Sequence, residues 1–291
     1  MLGIGICWQS LRGSAKEEPV LQLGKTVTTK NGAIQGVVLA SRDGREFYAW
    51  HKIPYAKPPV GELRFSDPEP VEDWEGILDG SNYGPWCPQV DLFTEEISGE
   101  EDCLFLNVFV PKKAYDQNEK LPVIFNIHGG GFALGDAQKL SPHYFMDEDV
   151  VIVTINYRLE ILGFLCTGDD VVRGNMGLKD QVMALKWVNK NIGYFGGNPR
   201  QVTIMGQSAG ACSVHALMLS DLSKGLFQKG ISQSGCATVS LGVQTPEEAS
   251  KAVYEVAELF GCQAQSSEDV VRFLRTVPVE DLLKKRSHLI W

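Results

Sequence analysis

Ser208 stands in Gly206-Gln207-Ser208-Ala209-Gly210, directly after the apolar run Val202-Thr203-Ile204-Met205. A Gly-x-Ser-x-Gly pentapeptide between a strand and a helix holds a serine hydroxyl at the tip of a sharp turn, where it can act as a nucleophile. Glycines suit the flanks because a Cβ there would meet the adjoining strand and helix. The chemistry is attack on an acyl carbon through a covalent acyl-serine. Such attack builds negative charge on the carbonyl oxygen, and preorganised backbone N–H groups must receive it. Gly129-Gly130-Gly131, between His128 and Phe132, offers such groups after another apolar run. A phosphate-binding reading of these glycines fails, because no Lys-Ser/Thr pair follows and no helical pattern opens at once. Either motif alone is weak, since a glycine-rich chain meets it by chance. His-Gly-Gly-Gly upstream of Gly-x-Ser-x-Gly, each after a strand, is a much rarer pair.

The elements that must position these residues are legible in the periodicity. Residues 26–50 read as β-hairpins, with strands at Val27 to Thr29, Ile34 to Leu39 and Glu46 to Trp50 and turns at Asn31-Gly32 and Asp43-Gly44. Residues 54–100 are rich in Pro, Gly and acids and read as loop. Strands are predicted at Leu104 to Val110, Pro122 to Ile127, Val150 to Asn156, Val202 to Met205 and Lys229 to Ser232. The third is apolar almost throughout, as a strand buried on both faces should be. Helices are predicted at Gly177 to Ile192 and Ala209 to Leu219. This alternation implies right-handed crossovers and a mainly parallel central sheet. The end is helical: Thr245-Pro246-Glu247-Glu248 has the form of a capping box, Gly261 a stop signal, and further helices follow from Ser267 and after Pro278.

Composition narrows the partners. The chain has 291 residues, 44% apolar and 22% charged, with a net charge of −9. Nucleic acid and anionic membranes attract basic surfaces, so neither is an expected partner. No apolar run reaches the length of a membrane span. Leu2 to Trp8 is a short apolar run without a preceding Lys or Arg, and Ser14-Ala15 offers a cleavage site. Residues 1–25 therefore read as a disordered or signal-like segment. Seven cysteines leave at least one unpaired within the chain. Cys87 and Cys103 bracket a polar loop and either close it as a disulfide or remain two half-buried thiols. No Asn-x-Ser/Thr acceptor occurs. The sequence leaves secretion and the cytosol equally open. The chemistry read from the motifs needs neither cofactor nor metal.

The ordered motifs go further. Ile53-Pro54-Tyr55-Ala56-Lys57-Pro58-Pro59, Leu63-Arg64-Phe65, Glu101-Asp102-Cys103-Leu104 and Asn156-Tyr157-Arg158 precede Asn175-Met176-Gly177-Leu178-Lys179-Asp180-Gln181 and Phe195-Gly196-Gly197-Asn198-Pro199. With these the chain resembles the type-B carboxylesterase family, the carboxylesterase/cholinesterase branch of the α/β-hydrolase fold, in a style similar to invertebrate carboxylesterases. The resemblance implies an α/β-hydrolase: a mainly parallel central sheet with helices on both faces and an N-terminal antiparallel β region. It implies that 26–291 is a partial domain, incomplete at its C-terminus. It implies Ser208 as nucleophile and the N–H groups of Gly130, Gly131 and Ala209 as the oxyanion hole. Arg64 with Glu101, and Arg158 with Asp180, match structural salt bridges, and Cys87 with Cys103 matches a disulfide. The substrate implied is an uncharged carboxylic ester.

Departures from the family carry expectations of their own. In this fold the triad runs Ser, acid, His. The family's glutamate and histidine lie far downstream of the serine, beyond Trp291. His51, His128, His143, His215 and His288 are poor substitutes, because a base must reach hydrogen-bond distance of the serine. The chain as given is therefore expected to have little or no activity, and a catalytically inactive or ligand-sequestering module is the alternative reading. An unpaired sheet edge open to self-association is a further expectation. Gln207 stands where many relatives have glutamate, and the 87–103 loop holds no tryptophan, which together disfavour a cationic choline ester. Glu160 stands where a glycine is usual. Phe273 occupies the position of a second cysteine for Cys262, so that disulfide cannot form.

Overall fold

The computed structural model describes residues 22–238 and 243–285. Most of the signal-like segment, with Ser14-Ala15, and His288 lie outside the described residues. Strands β1 (Gln22–Thr28), β2 (Ala33–Ala40) and β3 (Glu46–Pro54) open the chain. Short strands β4 (Ile77–Asp79), β5 (Gln89–Val90) and β6 (Ile97–Ser98) punctuate the long loop. Then come β7 (Phe105–Pro111), α1 (Lys112–Asp116), β8 (Leu121–Ile127), β9 (Val151–Ile155), α2 (Glu160–Phe164) and α3 (Met176–Asn191). The chain continues with β10 (Gly197–Gln207), α4 (Ala209–Leu219), β11 (Lys229–Gln233), α5 (Pro246–Leu259), α6 (Ser267–Thr276) and α7 (Val279–Lys284).

The central sheet is mixed, in the order β1-β2-β3-β7-β9-β8-β10-β11, with β4 beside β2. Its first half is antiparallel, from β1 through to the β7–β9 pair. Its second half, β9-β8-β10-β11, is parallel throughout. The hairpin region is thus continuous with the parallel sheet rather than a separate layer. β3 runs past Trp50 to Pro54 through a register shift, where Lys52 takes φ +52°.

Alternation on the strands sorts the core into two faces. Leu106, Val108 and Val110 of β7 face the cluster that receives Val182, Leu185 and Val188 from α3 and Val214 and Leu217 from α4. Phe109 faces the other way, with Phe47, Ala49 and Ile152, under Met146 from the 3-10 helix Pro142–Asp147. All five residues of β9 are buried. A second cluster joins α2 to the three last helices through Ile161, Leu162, Val256, Val270, Leu274 and Leu282. β11 is exposed along its length and, among the described residues, pairs only with β10. No helix among the described residues is long and apolar enough to cross a membrane.

Candidate active site

β10 and β8 lie side by side and parallel, so their C-terminal ends deliver Gln207-Ser208 and His128-Gly129 to the same edge of the sheet. Ser208 joins β10 to α4 at φ 55° and ψ −121°. That conformation is costly for a residue with a side chain and persists only where the surroundings enforce it. The surroundings are close-packed backbone. A Cβ on Gly210 would overlap the carbonyl oxygen of Ile127, so only glycine lets α4 start against the end of β8. A Cβ on Gly129 would lie 2.5 Å from Gln207 O and 3.3 Å from the Ser208 Cβ. The glycine run and the serine turn are therefore in direct contact. Ser208 N–H donates to Gln233 O of β11 at 2.9 Å, and Ser208 O accepts from Cys212 N–H at 3.0 Å.

Beyond Gly129 the run turns with φ +113° at Gly130, +63° at Gly131 and +59° at Phe132. Ala133 and Leu134 N–H both donate to Gly130 O at 3.0 Å. Among the described residues, the N–H groups of Gly130, Gly131 and Ala209 have no acceptor. For Ala209 the reason is general, since the first N–H groups of a helix have no partner inside it. Beside Gly130 opens a cleft of about 550 Å³, lined by His128, Gly129, Lys139, Leu140, Phe145, Met205 and Gln207 among others.

The four histidines among the described residues are each committed elsewhere. His128 stacks on Tyr157 with ring centroids 4.2 Å apart, and its carbonyl accepts from Tyr157 Oη at 2.9 Å. Its Nδ1 lies 2.8 Å from Gly129 O, so Nδ1 carries the proton. Burial pushes its pKa down to about 4, and the ring is neutral. His51 is likewise held near 4 by burial, within β3 and against Tyr83. His143 pairs with Ser141 Oγ at 2.9 Å. His215 Nδ1 accepts from Ala237 N–H at 3.1 Å. Among the described residues, no side chain hydrogen-bonds to Ser208 Oγ.

The charged pairs lie around this centre rather than in it. Arg158 Nε and Nη2 donate to Asp180 Oδ2 and Oδ1 at 2.8 and 2.7 Å, and Arg158 N–H donates to Oδ2 at 3.0 Å. Their side chains are 3% and 0% exposed. Arg64 meets Glu101 in the same bidentate way, with both distances 2.6 Å. Its Nη1 also donates to Arg275 O and Val277 O at the end of α6, at 3.1 and 2.7 Å. Cys87 and Cys103 form a disulfide, and Cys262 is a buried thiol. Glu160 sits at φ +51°, in the left-handed region that favours glycine, and its N–H donates to Phe132 O at 2.9 Å. Sequence reasoning missed that link to the glycine run. The only signal for Glu160 was its place where glycine is usual.

Comparison with known proteins is consistent over nearly the whole chain. The model of the Carboxylesterase family matches residues 24–290. A carboxylic ester hydrolase of Bombus ignitus is 47% identical over 262 residues, 88% of this chain and 46% of that protein. A juvenile hormone esterase of Tribolium castaneum is 45% identical over 88% of this chain and 44% of its own. The crystal structure of juvenile hormone esterase from Manduca sexta, with OTFP covalently attached, superposes with a TM-score of 0.84 at 38% identity. It aligns with 89% of this chain and 50% of its own. The chain thus spans about half the length of the relatives it matches.

Proposed function

Because this chain belongs to the carboxylesterase family, we propose that its site is built for carboxylic ester hydrolysis through an acyl-enzyme on Ser208. The observation that carries the proposal is the contact between the two motifs. The strained serine turn packs directly on Gly129, at the start of a run whose next two N–H groups are unused.

In this reading Ser208 Oγ attacks the ester carbonyl carbon and gives up its proton to a base. The carbonyl oxygen becomes an oxyanion received by the N–H groups of Gly130, Gly131 and Ala209. Collapse breaks the bond to the alkoxy oxygen, which takes the proton and leaves as alcohol. Water then attacks the acyl-serine, releasing the acid and restoring Oγ–H. Removing one such N–H donor costs about 10²–10³ in rate where it has been tested. A cationic ester is disfavoured, because Gln207 puts no carboxylate beside the serine and the charged residue lining the cleft is Lys139, among Leu140, Phe145 and Met205.

No base beside Ser208 Oγ is found among the described residues. Ser208 Oγ has no hydrogen-bond partner among the described residues, which favours the second reading. On it, this chain binds esters and turns them over little. A site lacking triad members keeps only the acceleration from binding and oxyanion contacts. OTFP, attached covalently in the Manduca sexta structure, is a suitable probe. The test is intact-mass analysis of the chain with OTFP, peptide mapping of the adduct, and steady-state hydrolysis of a short-chain aryl ester, with Ser208→Ala as control. The expected result is slow labelling confined to Ser208 and ester turnover near background. Label on another residue, or labelling that survives Ser208→Ala, would overturn the nucleophile. Rapid turnover that Ser208→Ala abolishes would overturn the low-activity reading alone.

A further inference from the structure

The glycine run is braced from a loop far away in sequence. Gly135 lies behind its start, so close that a Cβ would overlap His128 Nδ1 and come within 2.5 Å of Gly129 O. Both backbone groups of Gly135 are taken by one side chain. Its N–H donates to Gln89 Oε1 at 2.8 Å, and its carbonyl accepts from Gln89 Nε2 at 2.9 Å. Nε2 also donates to Cys87 O at 3.0 Å. Gln89 therefore links the half-cystine Cys87 to the segment that backs the glycines. Its own strand is pinned by β6 and, two residues earlier, by the disulfide to Cys103.

At neutral pH, where carboxyl groups are ionised and can only accept, a carboxamide answers both the N–H and the C=O of one residue with a single planar group. Alanine supplies neither bond, and methionine fills similar space without polar contact. The brace matters because three successive residues of the run have positive φ, two of them glycines with little conformational preference. Oxyanion donors work only when they are preorganised at the point where charge develops. We infer that Gln89 is a positioning residue for the oxyanion donors, acting through Gly135, with the disulfide loop as its mount. The functional part of this inference rests on reading the run as the oxyanion hole. The positional part does not.

The test separates the two. Amide hydrogen exchange is measured on the full chain at Ala133, Leu134 and Gly135, for the wild type, Gln89→Ala and Gln89→Met, with the disulfide intact and reduced. Losing two hydrogen bonds predicts exchange about tenfold faster or more at these amides in both variants. β9 and α3 should be unchanged. Reducing the disulfide should have the same effect on the wild type and add little to Gln89→Ala. Wild-type protection in either variant, or an equal rise throughout the chain, would overturn the positioning role. With OTFP, the variants should lower the maximal labelling rate at Ser208 and leave the half-saturating concentration unchanged. If exchange responds but the labelling rate does not, positioning stands and the link to the oxyanion site falls. If the wild type does not label at all, exchange alone decides the positional claim, and the failure falls on the reading of Ser208.

Discussion

Replacing Asp180 by asparagine changes one atom type and should be among the most damaging conservative substitutions in the chain. Asp180 and Arg158 are almost wholly out of water, and the carboxylate accepts three hydrogen bonds from Arg158, two from the guanidinium and one from the backbone. The fourth contact of the arginine, Nη1 to Ser66 O at 2.8 Å, carries no compensating charge. In Asp180→Asn one oxygen survives as acceptor, but the new NH₂ group faces a guanidinium that can only donate. Hydrogen bonds to charged groups contribute about 1.5–3 kcal/mol each, and breaking a buried pair from one side costs about 3–5 kcal/mol. We expect a loss in that range, read as a shift of the urea midpoint at pH 7 with unchanged slope. The double variant Arg158→Met/Asp180→Leu removes both charges and should lose less than the single one, because no unpaired charge remains inside. A loss below about 1 kcal/mol for Asp180→Asn, or a double variant as unstable as the single, would refute the argument. The damage should also reach the site, because Tyr157, next to Arg158, carries the stack and hydrogen bond that hold His128.

Two further outcomes follow from the packing. His51 and His128 are held near pKa 4 by burial, below the free histidine value near 6.5. The unfolded chain then binds more protons between these values, so stability falls as pH drops through the window. The loss should be about 2 kcal/mol per histidine by pH 5, in urea titrations between pH 7 and 5, and His51→Gln should halve the slope. Gly210→Ala drives a methyl group into Ile127 O, so α4 must move away from β8. It should cost about 1–3 kcal/mol in urea unfolding and abolish Ser208 labelling, and wild-type behaviour would show that the turn tolerates a side chain.

The sequence made the local features legible and left the long-range ones hidden. The capping box closes as read, with Thr245 Oγ1 accepting from Glu248 N–H at 3.2 Å and Glu248 Oε2 from Thr245 N–H at 2.9 Å. All its parts lie within four residues. The start of α4 and the end of the strand before Ser208 were legible for the same reason: Gly206, Gly210 and an apolar run mark them. Strand order was not. β7 pairs antiparallel with β9 while β8 lies on the far side of β9, and an apolar run does not state its neighbour. Arg64 closing the end of α6 and Gln89 gripping Gly135 join residues 211 and 46 positions apart. Glutamine is a common surface residue, so nothing in its type or spacing marks it out.

The tie from Ser208 N–H to Gln233 O places the Ser208 backbone at the end of a five-residue strand that is exposed along its length. Structural elements open with free energies that scale with how much packing they lose, and a short edge strand stands near the bottom of that scale. Ser208 is thus mounted between β8, inside the sheet, and β11, an exposed strand that among the described residues pairs only with β10. An opening of β11 would release the hydrogen bond that holds the Ser208 backbone. The strain at Ser208 then becomes a clock, because each opening lets the residue relax and each closing must restore φ 55°. Whatever holds that edge in place also holds the Ser208 turn.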